Sequence, residues 1–112
     1  MASSARKRSG VARAAAAADI APHASEAAAL LKALANEQRL MILCNLVEGP
    51  LSVSELNERV ELSQSALSQH LAVLREANIV ATERESQTIR YSLPQGVATQ
   101  IINLLHRTFC AR

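Results

Sequence analysis

The stretch SVSELNERVELSQSALSQHLAVLREAN, residues 52–78, decides the fold. It contains two helix starts separated by almost nothing. Ser52, Val53, Ser54 and Glu55 have the capping-box pattern, a hydroxyl before the helix and a carboxylate three residues on, which predicts a short helix to about Val60. Ser63 caps the next helix, Gln64 to Glu76, because its hydroxyl can accept a free first-turn amide. Only Glu61 and Leu62 lie between the two, and helices joined so tightly form a helix-turn-helix. In the second helix Leu67, Leu71 and Leu74 stand at i, i+4 and i+7, so they share one inward face. Asn78, which tolerates a left-handed backbone, predicts its stop.

Toward the C-terminus the period changes from helical to alternating. Val80, Thr82 and Arg84 alternate with Ala81, Glu83 and Glu85. After Ser86 and Gln87, Ile89, Tyr91 and Leu93 alternate with Arg90 and Ser92. This predicts a two-stranded hairpin with one buried face. Helical spacing returns after Pro94 in Val97, Ile101, Leu104, Leu105 and Thr108.

Toward the N-terminus, Asn36 caps a helix from Glu37 to Val47 whose RLMILCNLV run is apolar almost all round, as a buried central helix would be. Gly49 and Pro50 end it. Before it, Pro22 marks the start of regular structure, and Ala27, Leu30, Leu31 and Leu34 recur at helical spacing. The expected fold is mainly α with a small two-stranded β-hairpin: a helix-turn-helix followed at once by a hairpin, which is a winged helix-turn-helix.

Composition agrees. At 112 residues the chain is one domain, and with 2% aromatic and 49% hydrophobic residues its core must be aliphatic. The formal net charge of +2 conceals an asymmetry. Residues 1–22 carry Arg6, Lys7, Arg8 and Arg13 against Asp19, a net +3, and the remaining eight bases and nine acids leave −1. Residues 1–21 therefore read as a basic Ala/Ser-rich leader, most simply a disordered tail, although its composition also fits an organellar transit peptide and, faintly, a signal peptide. Residues 22–112 form the domain. No stretch has the ~18 apolar residues of a membrane span, and a cytoplasmic protein is expected. Cys44 and Cys110 form no CxxC, and no Cys/His cluster has zinc spacing, so two thiols and no metal or cofactor are expected.

Opposite the leucine stripe of the Gln64–Glu76 helix, Gln64, Ser65, Ser68 and Gln69 occupy the outer face near its start. Gln can pair bidentately with adenine, and Ser can bond a base edge or a phosphate. An ordinary solvent face would have the same residues, so this feature alone leaves both readings open. Arg84 and Arg90 flank the hairpin tip, where a wing touches phosphates or a minor groove, and Arg75 adds a further phosphate contact.

With the hairpin ERESQTIRYSL, the helix-turn-helix stretch resembles the ArsR/SmtB family of bacterial winged-helix repressors. LLKALANEQRLMILCNL is similar to that family's preceding helices. The resemblance covers about residues 26–110, and the Ser-x-x-Ser-x-His-Leu run at Ser65–Leu71 is its strongest piece. It implies a homodimer through the first and last helices, with paired recognition helices in successive major grooves of an inverted-repeat operator of double-stranded DNA. The DNA-binding set is then Gln64, Ser65, Ser68, Gln69, His70, Arg75, Arg84, Gln87 and Arg90. His70 has packing beside the helix as its plainer alternative. The wing departs from the pattern: Ser86 and Gln87 stand where a Gly-Arg pair is common.

Metal-sensing members use a Cys-Val-Cys pair that is Ser52-Val53-Ser54 here, and hydroxyls are poor ligands for soft metals. The last helix offers His106 and no carboxylate. On their own, the cysteines read either as small apolar fillers or as reactive thiols, Cys110 having His106 one turn before it and Arg107 and Arg112 close by. The ILCxL placement of Cys44 and the terminal placement of Cys110 resemble the subgroup of repressors that answer to sulfide, persulfides and oxidants, together with the HlyU-type virulence regulators. That resemblance implies redox sensing at Cys44 and Cys110, with reactive sulfur species or oxidants as inducer. The competing expectation is an HlyU-like regulator without inducer, its cysteines structural. A thiol enzyme lacks any oxyanion-hole or triad pattern, and none is expected.

Overall fold

The structure, a computed structural model, describes residues 15–110. The expectations placed on residues 1–14 and on Arg112 lie outside it. Helical residues 15–20 run into a 3-10 turn at Ala21–His23, then α1 (Ala24–Leu34), α2 (Glu37–Asn45), β1 (Leu51–Ser52), α3 (Val53–Arg59), α4 (Gln64–Glu76), β2 (Ala81–Glu85), β3 (Thr88–Ser92) and α5 (Val97–Cys110). Helix thus precedes Pro22, where regular structure was expected to begin.

The local signals act where the sequence puts them. Asn36 Oδ1 accepts from the Arg39 amide, and Ser63 Oγ from the Ala66 amide, at 3.0 and 3.1 Å. At α3 the capping box is complete: the Ser52 amide donates to Glu55 Oε1 at 2.9 Å, and the Glu55 amide donates to Ser52 Oγ at 3.2 Å. Helix α4 ends in a Schellman motif. Asn78 takes φ +59°, its amide donates to the Arg75 carbonyl, and the Ile79 amide reaches back to Leu74 at 2.9 Å. Ile79 and Leu74 are both buried, which supplies the apolar contact that accompanies this motif.

One core holds these elements together. Ile42, Leu43, Leu56, Leu67, Leu71, Leu74, Ile79 and Ile102 are fully buried, and Leu34, Leu46, Leu51 and Val60 nearly so. The predicted leucine stripe of α4 is entirely inside. At about 1.5–3 kcal/mol per buried aliphatic side chain, it fixes which face of α4 is left outside.

Three expectations change. The sheet has three antiparallel strands in the order β1-β3-β2, because Leu51 pairs with Tyr91 and Ser52 with Arg90. A two-residue strand is too short to show alternation, and Ser52 at φ −77°, ψ 167° is at once extended strand and helix cap. Second, α2 stops at Asn45, and residues 46–49 turn through Leu46 and Gly49, the latter at φ +150°. Nor is α2 buried all round, for Met41 is 54% exposed. Third, the hairpin buries only its base at Val80, and Ile89 near the tip is 40% exposed.

Residues 15–26 are all exposed. The molecule measures 61 × 35 × 23 Å with a radius of gyration of 18.2 Å, against about 13 Å for a compact chain of this length.

Candidate nucleic-acid interface

With Leu67, Leu71 and Leu74 inside, Gln64, Ser65, Ser68 and Gln69 are all exposed on the outer side of α4. Ser65, Ser68, Gln69 and Ala72 follow i, i+3, i+4, i+7 spacing, so they share one face. Ala72, exposed and small, lets that face come close to another surface. Ser65 Oγ lies 3.4 Å from the capping Ser63 Oγ. The other three side chains of the set make no protein hydrogen bond among the described residues, so their donors and acceptors face water.

His70 is placed otherwise. Its Nε2 lies 2.9 Å from Gln38 Oε1 and its Nδ1 3.4 Å from Arg39 Nη1. A guanidinium only donates, so Nδ1 accepts and Nε2–H donates to the Gln38 amide oxygen. Arg39 also donates from Nε to the Ala33 carbonyl at 2.7 Å. His70 therefore ties the outer helix, through Arg39, to the last turn of α1. Both ring nitrogens face partners on α2, Nε2 closely and Nδ1 at the long end of hydrogen-bond range, so the packing reading of His70 has a geometry to rest on.

The wing separates its two arginines. Strand side chains alternate, and the register pairs Thr82 with Tyr91, Glu83 with Arg90 and Arg84 with Ile89. Arg84 thus shares a face with Thr82, Tyr91 and Ile89, whereas Arg90 shares the other with Glu83 and Glu85. Arg84 is exposed and in no ion pair among the described residues. Arg90 Nε donates to Glu85 Oε1 at 3.0 Å and its Nη1 to Glu55 Oε1 at 3.3 Å. Gln87 is exposed in the two-residue tip, where Ser86 adopts φ +61°. A cleft of about 460 Å³ runs between α4 and the wing, lined by Ser68, Ala72, Arg75, Glu76 and Tyr91. Ala72 and Tyr91 were not singled out from sequence. The i+7 spacing from Ser65 would have found Ala72, whereas Tyr91 enters only because the sheet folds back on α4.

Glu55 has a depressed pKa, first because the Ser52 amide donates to it, then through the Ser52 hydroxyl; desolvation opposes these, and the Arg90 and then the Arg59 charge lower it further by less.

The cysteines lie on helices that pack together, α2 and α5. Cys110 is exposed and Cys44 half-buried against the core. Burial raises the Cys44 pKa, and the neighbouring charge of Cys110 raises it further. No group of three or more metal-ligating side chains occurs among the described residues, and no described helix is long and apolar enough to cross a membrane.

Comparison with known proteins places this geometry. The model of the bacterial regulatory protein arsR family matches residues 36–82, from the α2 cap through the helix-turn-helix into β2. The chain is 53% identical to the transcriptional activator HlyU of Vibrio cholerae over 79% of its own length and 82% of that protein's. It is 46% identical to the biofilm growth-associated repressor of Xylella fastidiosa over 84% and 82%. Among solved structures, reduced HlyU from Vibrio cholerae superposes with a TM-score of 0.76 at 51% identity, covering 82% of this chain and 97% of that one. The repressor BigR from Xylella fastidiosa gives 0.75 at 46%, covering 83% and 92%. The helix-turn-helix with its wing, and the two helices ahead of it, belong to a member of the ArsR family of bacterial regulatory proteins, close to HlyU and BigR.

Proposed function

We propose that this protein is a homodimeric, sequence-specific DNA-binding repressor whose operator binding is switched by persulfide chemistry at Cys44 and Cys110. The observation that carries the DNA reading is the uncommitted polar face of α4, beside a wing whose Arg84 is in no ion pair among the described residues. Gln64, Ser65, Ser68 and Gln69 meet base edges and the nearest phosphates in the major groove. Arg75, Arg84 and Gln87 meet flanking phosphates. Arg90 and His70 support this surface from behind.

Dimerisation through α1 and α5 is supported by where exposed apolar side chains gather: Ile20 and Leu31 at the N-terminal end, and Val97, Leu104 and Phe109 on α5, with Phe109 80% exposed. A two-fold axis there sets the α4 helices one DNA turn, roughly 34 Å, apart on an inverted repeat.

For the switch, exposed Cys110 is the first thiol to react. Its thiolate attacks the outer sulfur of a small-molecule persulfide, RSSH, releasing RSH and leaving a persulfide on Cys110. The Cys44 thiolate then attacks the inner sulfur, forming the Cys44–Cys110 disulfide and expelling hydrosulfide. A disulfide requires Cα atoms within about 7 Å, whereas a longer sulfur chain spans a wider gap. Either bridge joins α2 to α5 and releases DNA in so far as the bridged form fits the operator less well.

The test begins with duplexes selected from a random pool by the reduced protein. Selected sequences should contain an inverted repeat, and polysulfide should release them. Cys44→Ser and Cys110→Ser should bind as the reduced wild type does and resist release. Polysulfide release of the double Ser variant would sink the thiol reading. A second reading, a regulator without inducer whose cysteines only pack, is favoured by Cys44, which is half-buried against the core. It predicts identical binding before and after oxidation.

A further inference from the structure

Arg90 has a role different from that of a wing arginine on DNA. We infer that Arg90 and Glu55 form a positioning clamp that sets the wing against the helix-turn-helix, so that Glu55, an acid beside a DNA-binding surface, strengthens binding. The inference deepens the DNA-binding reading and rests on it.

The clamp is built from three connected facts. Ser52 is the last residue of β1, paired with Arg90 in β3, and is also the N-cap of α3, so no linker separates the wing sheet from the helix-turn-helix. Glu55 Oε1 accepts from the Ser52 amide at 2.9 Å and from Arg90 Nη1 at 3.3 Å, so one carboxylate oxygen joins the cap to the wing. Arg90 Nε meanwhile holds Glu85 at 3.0 Å, one residue from the tip. A single guanidinium thus spans from the base of α3 to the end of the hairpin. Two different nitrogens serve two carboxylates, a geometry a lysine ammonium does not reproduce. Arg90 is two-thirds covered, its side chain 33% exposed, and it lies on the hairpin face opposite Arg84.

The signs distinguish this from ordinary electrostatics. Removing a negative charge near DNA normally tightens binding, and removing a phosphate-contacting arginine lowers the salt dependence of binding by about one unit. A clamp predicts weaker binding in the first case and an unchanged salt dependence in the second. Glu55→Gln keeps the capping-box geometry, in which Gln also serves, and takes the charge out of the link to Arg90.

The experiment measures binding of the reduced full chain to its best selected duplex and to a scrambled duplex across a salt series, with a thermal melt of each variant. Glu55→Gln, Arg90→Ala and Arg90→Lys should each weaken binding to the selected duplex about three- to fivefold, the scale of a partly exposed ion pair. The salt slope should be unchanged, and the Glu55→Gln/Arg90→Ala double variant should lose no more than either single. Arg84→Ala, by contrast, should lower the slope. Tighter binding by Glu55→Gln, or a lowered slope with Arg90→Ala, would overturn the clamp while leaving the DNA-binding reading standing. A wild-type chain that selects no duplex would overturn that reading instead. Arg90→Lys keeps the charge, so wild-type affinity in that variant would also overturn the clamp.

Discussion

The helix-turn-helix and the wing are neighbours in one domain, yet they are held by different physics. Helices α3 and α4 are fixed by burial, with Leu56, Leu67, Leu71 and Leu74 having essentially no exposure, and by caps lying within three residues of the groups they satisfy. The wing beyond Ala81 buries no side chain. It is held by its ladder, by a two-residue tip with one strained residue, and by Arg90 between Glu55 and Glu85. The first region is rigid because its alternatives would expose hydrocarbon. The second stays in place through a few polar contacts of small individual worth, so its position is easily adjusted.

The most forceful way to break this comparison is to remove one apolar side chain from each region. Leu71→Ala should cost about 2–5 kcal/mol, read by denaturant or thermal melting. Ile89→Ala, at an exposed wing position, should cost under about 0.5 kcal/mol. Equal losses would show that the wing is part of the core after all.

At the reading surface, Gln69→Ala should leave the melting temperature unchanged. It should cost about 1–3 kcal/mol in preference for the selected duplex over a single-base variant, measured by competition.

Glu55 and Cys44 differ in how they respond to pH. The depressed Glu55 pKa means that its carboxylate stabilises the fold fully above the ordinary glutamate range, and that this contribution is lost as pH falls through the lower folded value. Acid melting of Glu55→Gln should lack that component. The raised Cys44 pKa acts in the opposite direction: the neutral thiol suits the fold, and stability falls as pH rises through the raised value. Alkylation should therefore mark exposed Cys110 first at neutral pH and reach Cys44 only in more alkaline solution.

A small effect of opposite sign is expected at the wing tip. Ser86 holds φ +61°, a conformation that costs an L-residue roughly 1–2 kcal/mol, while glycine adds about 0.5–1 kcal/mol of chain entropy. Ser86→Gly should stabilise by under about 1 kcal/mol, visible as a slightly higher melting temperature with α4 binding unaltered.

The same division explains what the sequence disclosed. Both caps of the helix-turn-helix, the leucine stripe and the left-handed Asn78 are local rules, and each could be read within a window of a few residues. Gln64, Ser65, Ser68 and Gln69 were legible because the stripe fixes the opposite face. The long-range partners of Arg90 and His70 were not. Glu55 lies 35 residues before Arg90, and Gln38 and Arg39 lie 32 and 31 before His70. No periodicity links such positions. Of the two acids on Arg90, Glu85 lies just across the hairpin tip, and only Glu55 belongs to a distant element. Strand β1 was missed for a related reason, since its two residues are strand only because β3 lies beside them.

The junction at Ser52 also limits how the length of this chain can change. At Ser86 and Gln87 the hairpin can gain residues by lengthening its loop, with the effect confined to the tip. Between Ser52 and Val53 there is no spare residue. One added there would turn α3 by about 100° relative to the sheet, taking Leu56 out of the core and Glu55 away from Arg90. Insertions are therefore tolerable at one end of the wing and ruinous at the other.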